Sequence, residues 1–570
     1  MLSNFDISVD FNALGLTLFV GTLLAFILLK LPKMTVPVPG VPMVPNSHWF
    51  FGHSQILVRD FKESWWKLCY EHADDEGLCS FWNFSRPAIT VNTVDNARAI
   101  LIASSSKPAL GHMRKHLRML LGEKSLPFLN GKEWKHHRNL YSKALSSAAV
   151  STMLDPIRDV VTSLVKALED KMANENQGGV VEMNIEKVIQ LVMADISGKT
   201  FFGMDFGCCE KLEQIPITRA IKFLVDEISR RITSPLNPAA RFYSFPSALN
   251  RRHRENVQFV RNTLRGILDQ RKLSLSSSSS FSENHDFITS LLKNFVSKEE
   301  SGELPNVDEV IDSLLTAHMA SFDSSTASLV YIFYCLACHP HAEEECLKEI
   351  ERVLSKESKA LDPDHLPYCN AVVTETIRLY PAIVAISRTL EKPFKFKNVT
   401  VKAGTDVLIP FWHIQRDDRN FYRANEFLPE RWVTQSGDDS WAERSSSSDN
   451  TKDDTLVSDT SVSSDETTLP GSHPDGDTKV DDTSASINHV DVVPAADKSG
   501  FLSFSAGGRS CVGYKLAKKE ICIIMVELLR NFKFELVHGF KLNPRSIAVS
   551  QKHIGGIPMI ISKRKQLFLS

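Results

Sequence analysis

One stretch near the C-terminus limits what this chain can become: Phe504-Ser-Ala-Gly507-Gly508-Arg509-Ser-Cys511-Val-Gly513. Gly507, Gly508 and Gly513 carry no Cβ, so the backbone can turn tightly there and approach a flat ligand closely. N–H groups gathered in such a loop can point at the sulfur, stabilise its thiolate and tune its electron donation. Arg509 adds a fixed-charge fork suited to a carboxylate. A lone cysteine in a large chain is usually a small buried hydrophobe. This spacing departs from that rule and points to a single thiolate held as a ligand.

The 570 residues, 43% of them hydrophobic, suffice for one very large domain with a deep core. The formal net charge is −2, yet 15 acids and 4 bases fall between Asp438 and Lys498, leaving about +9 on the rest of the chain. The overall charge of −2 argues against nucleic acid as the main partner, and the basic body with an acidic insert differs from a uniformly neutral protein. The 10 cysteines are scattered without a disulfide framework, which indicates a reducing compartment. Cys335-x-x-Cys338 lies in an apolar helical run, and core packing is the better reading of it than a redox or zinc pair.

Residues 11–29 carry no charge and, as a helix, span roughly 29 Å, close to one hydrocarbon core. Asp6 and Asp10 precede this run and Lys30 and Lys33 follow it, so the positive-inside rule leaves the remaining chain in the cytosol. The basic leader of a cleavable signal is missing, which favours an uncleaved anchor over residues 1–31. Pro32, Pro37, Pro39, Pro42 and Pro45 make residues 32–46 a stiff hinge. Residues 58–76 read as an amphipathic helix, 78–84 and 88–93 as strands and 94–103 as a helix. Helical periodicity then dominates to about residue 354, interrupted by a serine-rich loop at 274–283. Residues 394–410 alternate as a hairpin that turns at Ala403-Gly404. The acidic stretch 434–500, rich in Ser, Thr and Asp, cannot bury enough apolar surface to offset its ordering entropy and reads as a disordered insert.

The cysteine stretch resembles the haem-binding loop of the cytochrome P-450 family, with every fixed position of Phe-x-x-Gly-x-Arg-x-Cys-x-Gly matched. Four further motifs lie in family order. Glu375-x-x-Arg378 places both side chains on one helical face, and Arg431 follows in Pro429-Glu-Arg431. The resemblance makes these three a buried network shaping the haem loop. Trp134-x-x-x-Arg138 puts an indole and a guanidinium one turn apart; with Arg388 and Arg509 they match the family's binders of the haem carboxylates. Ala320-Ser321-Phe322-Asp323-Ser324-Ser325 is similar to the family's Ala-Gly-x-Asp-Thr-Thr, in which an acid and an alcohol relay protons to bound oxygen. Here Ser321 replaces the glycine and Ser324 the threonine. Serine keeps the hydroxyl but gives it more rotamer freedom.

The resemblance implies a mainly α fold with a small β-sheet subdomain over residues 47–570, behind a single N-terminal transmembrane helix. It implies haem b bound through Cys511, with Phe504 in the cofactor loop, and Asp323 and Ser324 as catalytic residues. The reaction implied is insertion of one atom of O2 into an apolar small molecule, with a fatty acid, sterol or terpenoid as the expected lipid class. No flavin domain follows Cys511, so electrons come from an NADPH-dependent diflavin reductase, with cytochrome b5 as a second donor. Lys135, Lys515, Lys518 and Lys519 are candidates for its docking face. The expected location is the endoplasmic reticulum membrane. Two alternatives stay open: a haem-thiolate isomerase or dehydratase acting on hydroperoxides without a reductase, and a non-catalytic haem-binding protein or gas sensor.

Overall fold

The computed structural model describes residues 20–22, 36–45, 52–53, 66–83, 86–104, 111–174, 179–233, 246–277, 286–299, 307–356, 361–433, 498–547, 550–553 and 555–564. Among these residues no helix is long and apolar enough to cross a membrane. The expected anchor at 1–31 falls outside them apart from residues 20–22, as does the acidic stretch at 434–497.

A short helix α1 (Trp66–Glu71) leads into the antiparallel pair β1 (Leu78–Asn83) and β2 (Arg86–Val91). The helix ends before the expected residue 76. The Asp74 carboxylate accepts the N–H groups of Glu76 and Leu78 at 3.0 and 2.8 Å, and Gly77 takes φ +73°, so a side-chain-capped turn replaces the last helical turn. α2 (Val94–Ala103) has the expected bounds. α3 (Gly111–Leu121), α4 (Gly131–Ala144) and α5 (Ser147–Asn174) precede a strand β3 (Val180–Asn184) that the helical periodicity did not reveal. Then come α6 (Ile185–Ser197), α7 (Pro216–Thr233), α8 (Ala248–Ser277), α9 (Phe287–Glu299), α10 (Val307–Cys338), α11 (Pro340–Lys356) and α12 (Pro367–Leu379). The serine tract expected as a loop therefore begins inside α8, where the Ser274 hydroxyl donates back to the Arg271 carbonyl at 2.8 Å. Residues 278–283 lie outside the described residues.

After α12 the chain forms β4 (Ile386–Thr389), β5 (Phe394–Lys395), β6 (Thr400–Val401) and β7 (Asp406–Ile409). The hairpin in this region turns between Lys395 and Thr400, since β5 pairs with β6. The Ala403-Gly404 turn instead starts β7, which pairs antiparallel with β4 and parallel with β2, giving a sheet of order β1-β2-β7-β4. The alternation was read correctly, but the long-range partner of β7 leaves no local trace. α13 (Tyr514–Asn531) ends the helical part, and β8 (Phe532–Leu536), β9 (Pro544–Ile547), β10 (Ser550–His553) and β11 (Pro558–Lys563) follow. β11 sits between β3 and β8 in a second sheet.

α10 is the axis of the helical body. It packs on α6, α12 and α13, and Leu314, Leu315, Ile332 and Phe333 on it are fully buried. Each such side chain contributes about 1.5–3 kcal/mol on leaving water. From Val310 to Phe333 only Ala320, Ser321 and Ser324 are not buried. These three lie within one helical face. Cys335 is in the core as expected, while Cys338 is exposed, and all ten cysteines are free.

Candidate functional site

The loop expected to hold a thiolate lies between three structural supports. Ser505 accepts a left-handed φ of 63° and donates its N–H to the Leu502 carbonyl at 2.7 Å, starting the turn. Gly507 follows at φ +68°, and a Cβ there would lie 2.5 Å from the Leu101 carbonyl oxygen of α2. Glycine is thus required at 507 by both backbone angle and space. Gly508 and Gly513 are not in the left-handed region, and Gly513 has φ −92°. Of the three glycines, only Gly507 needs the freedom the sequence suggested for all. The Cys511 N–H donates to the Phe504 carbonyl at 2.8 Å, closing the loop immediately before α13.

Cys511 stands just before the N-terminal end of that helix, where the helix dipole favours a thiolate. Desolvation pushes its thiol up, as does Glu520; the N–H of Gly513 and the Arg138 guanidinium pull it down. Phe504 is half-buried, its ring 6.0 Å from Phe501 and 6.4 Å from Tyr514.

Three guanidinium groups gather around the loop. Arg138 on α4 donates to the Ser510 carbonyl at 2.6 Å. Arg509 donates to the Leu129 carbonyl and Asn130 Oδ1 at 2.8 and 2.7 Å, and its head lies 4.1 Å from the centre of the Trp134 ring. Trp134 thus reaches the site through its ring face, holding Arg509 by a cation–π contact. Arg388 on β4 is buried; it donates to the Ser387 carbonyl, and its Nε has no hydrogen-bond partner among the described residues. Burial pulls Arg388 down to about 10. Burial also brings Arg509 to about 10, with repulsion from Arg388 and Arg138 adding to it. Partly desolvated cations that repel one another suit a doubly anionic group.

On α10, the neighbouring Ser324 and Asp323 differ in burial. Ser324 bonds back to the Ala320 carbonyl at 2.5 Å on the accessible face. Asp323 is buried, about 100° around the helix. The hydroxyls that do reach an acid are Ser321 and Ser325, which donate to Glu520 Oε1 at 3.2 and 2.6 Å. Glu520 is fully buried on α13, and desolvation raises its carboxyl to about 7 against both serine bonds. The sequence reading missed it, although an acid directly before the apolar run Ile521–Val526 was a usable signal.

Beneath the loop, Glu375 and Arg378 of α12 pair twice, at 2.8 and 2.7 Å, and Arg431 Nε joins the same carboxylate at 3.1 Å. All three are buried. Trp432 Nε1 and the Leu428 N–H complete the shell at 2.7 and 3.0 Å. Arg378 donates onward to the Gln415 and Ala424 carbonyls at 2.5 and 2.6 Å. Gln415 Oε1 then accepts from the Leu502 N–H and the Ser503 hydroxyl at 2.8 and 3.0 Å, at the mouth of the cysteine loop. Gln415 and Trp432 were not legible in the sequence, because their partners are far away along the chain.

The sequence profile described as Cytochrome P450 matches residues 42–450 and 491–554. The chain belongs to the cytochrome P450 family. Its relatives include human Cytochrome P450 4X1, 26% identical over 405 residues, covering 69% of this chain and 76% of the relative. Cytochrome P450 72A68 of Medicago truncatula is 23% identical over 491 residues, 85% and 81% of the two chains. The Cytochrome P450 monooxygenase acrF of Aspergillus aculeatus is 25% identical over 461 residues, 77% and 80%. As a P450 the chain is an oxygen-incorporating oxidoreductase with haem b as its cofactor. The residues present fit that group: a sulfur at a helix N-terminus, and three cations around its loop for two carboxylates.

Two outcomes follow. Glu375→Gln keeps the shape but leaves two buried guanidinium groups short of their carboxylate, so the protein should lose about 3–5 kcal/mol in denaturant titration; a loss under about 1 kcal/mol would show the network to be dispensable. Glu520 has a raised pKa, so the folded state holds a proton that the unfolded state releases above about pH 4.5, and stability is lost as pH rises toward about 7. Glu520→Gln removes this dependence. Its melting temperature relative to the parent should climb between about pH 5 and about pH 7.5, and a constant difference contradicts the burial argument.

Proposed function

We propose that this P450 inserts one oxygen atom into an apolar small molecule of the fatty acid, sterol or terpenoid class, taking electrons from an NADPH-dependent diflavin reductase with cytochrome b5 as a second donor. The observation that carries this reading is Cys511 just before α13, with Arg138, Arg388 and Arg509 gathered around its loop and α13 packed on central α10. Cys511 Sγ would hold the iron. Arg138, Arg388 and Arg509, the last supported by Trp134, would take the two carboxylates, with Phe504 packed in the loop. The bound haem supplies the iron at which oxygen is reduced, and the sulfur donates electron density to it.

The protein's part in turnover is to place and move protons. Ser324 stands on the accessible face, and rotation about χ1 frees its hydroxyl from the Ala320 carbonyl to hold a hydrogen bond toward the site. Asp323 would serve as the acid that replenishes it.

Lys135 is exposed on α4, while Lys515 binds Ser147 Oγ at 2.7 Å and Lys519 binds Asp364 at 2.6 Å. With Lys518 these groups would line the electron donor's docking face. Residues 1–31 would anchor the protein in the endoplasmic reticulum membrane, with residues 32–46 as hinge and the catalytic domain toward the cytosol. The flanking charges support that orientation. Residues 434–500 read as an insert within the domain, supported by a family match that stops at 450 and resumes at 491. The chain leaves after Val433 and is described again from Lys498, and the rings of Trp432 and Phe501 at its two ends lie 5.5 Å apart.

Lipid profiling of membranes carrying the protein, under isotopically labelled O2, tests the reading. A product bearing one labelled oxygen should form only when NADPH and reductase are both present. A product made from lipid hydroperoxides without reductase would instead make the protein an isomerase or dehydratase.

A further inference from the structure

Ser321 carries a hydroxyl where the resembling motif has glycine, and that hydroxyl spans two environments. Its residue is half-buried on the accessible face of α10, while its Oγ donates to Glu520 Oε1 at 3.2 Å. Glu520 is fully buried and sits nine residues beyond Cys511, six residues or about 9 Å into α13. Ser325, also buried, donates to the same oxygen at 2.6 Å. Glu520 Oε2 has no hydrogen-bond partner among the described residues. Among the described residues no cation pairs with this carboxyl, and desolvation raises its affinity for a proton to about pH 7.

We propose that Ser321 and Glu520 form a second proton source for the site, with Glu520 storing a proton and Ser321 carrying it to the accessible face of α10. This rests on the monooxygenase reading above. In the step, the Ser321 O–H bond breaks toward an acceptor on the accessible face as the Glu520 O–H proton passes to Ser321 Oγ. One proton leaves the pair and no electrons move. The carboxylate left behind is stabilised by the Ser325 and Ser321 hydroxyls, and water at the same face reloads it through Ser321 in the reverse order. Glu520 acts through Ser321 and is a positioning residue. The Asp323–Ser324 route does not require either group, so the two sources are separable.

The test uses the haem-loaded full chain with a diflavin reductase and no added substrate. Two quantities are read: the infrared band of a protonated carboxyl, and the fraction of NADPH electrons recovered as hydrogen peroxide instead of water. Glu520→Gln should abolish the band. Ser321→Ala should shift it, through loss of one donor, and raise the peroxide fraction about twofold or more. Ser321→Thr should restore both, since it returns the hydroxyl. A Ser321→Ala variant whose band moves while its peroxide fraction matches the parent overturns the proposal and leaves the contact as a tie between two helices. If Ser324→Ala raises peroxide and Ser321→Ala does not, the oxygen-activating reading stands and this branch falls. A parent enzyme that consumes no NADPH with reductase overturns both together. Should Glu520→Gln fail to fold, the two Ser321 variants still decide the matter.

Discussion

A single buried carboxylate, that of Glu375, holds the site together. Taking it and two guanidinium groups out of water carries a desolvation cost of several kcal/mol per ion, which only dense hydrogen bonding offsets. The structure supplies that bonding. Arg378 is held in a fork, Arg431 by its Nε, Trp432 by its indole and Leu428 by its backbone. The extra positive charge meets carbonyl oxygens of Gln415, Ala424 and Tyr422. Because every group is satisfied only in one arrangement, the network fixes the relative position of α12, the 415–432 segment and the entry to the cysteine loop.

From that fixed point, Gln415 carries the constraint to Leu502 and Ser503, and the left-handed Ser505 and Gly507 turn the chain toward Cys511. α2 blocks any side chain at 507, and α4 grips the loop through Arg138 at Ser510 and Trp134 under Arg509. α10 packs on α13, and the tie runs through Ser321, Ser325 and Glu520, so the helix that follows the cysteine loop also anchors the central helix. Structure and proton chemistry share these groups.

The sequence showed much of this where the signal was local. α2 could be bounded from its periodicity. The pairing of Glu375 with Arg378 follows from helical spacing alone, and Arg431 from its motif. What escaped was set by distance. β7 alternates like a hairpin strand, but its partners β2 and β4 are chosen by the sheet. Gln415 and Trp432 look like ordinary polar and aromatic residues until the fold brings them to Arg378 and Glu375. Glu520 escaped as well, because its serine partners Ser321 and Ser325 lie about 200 residues earlier in the chain. The motif also led three glycines to be read alike, whereas only Gly507 is demanded by φ and by Leu101.

The account depends most on Cys511 being the atom that holds the iron. The absorption spectrum of the reduced, carbon monoxide-bound protein measures this directly, because a thiolate opposite carbon monoxide shifts the main haem band far to the red of a neutral ligand. The parent protein should show the red-shifted band and Cys511→Ser should lose it, with the Glu375 network and the fold intact by circular dichroism. A Cys511→Ser protein that keeps the red-shifted band would contradict the account.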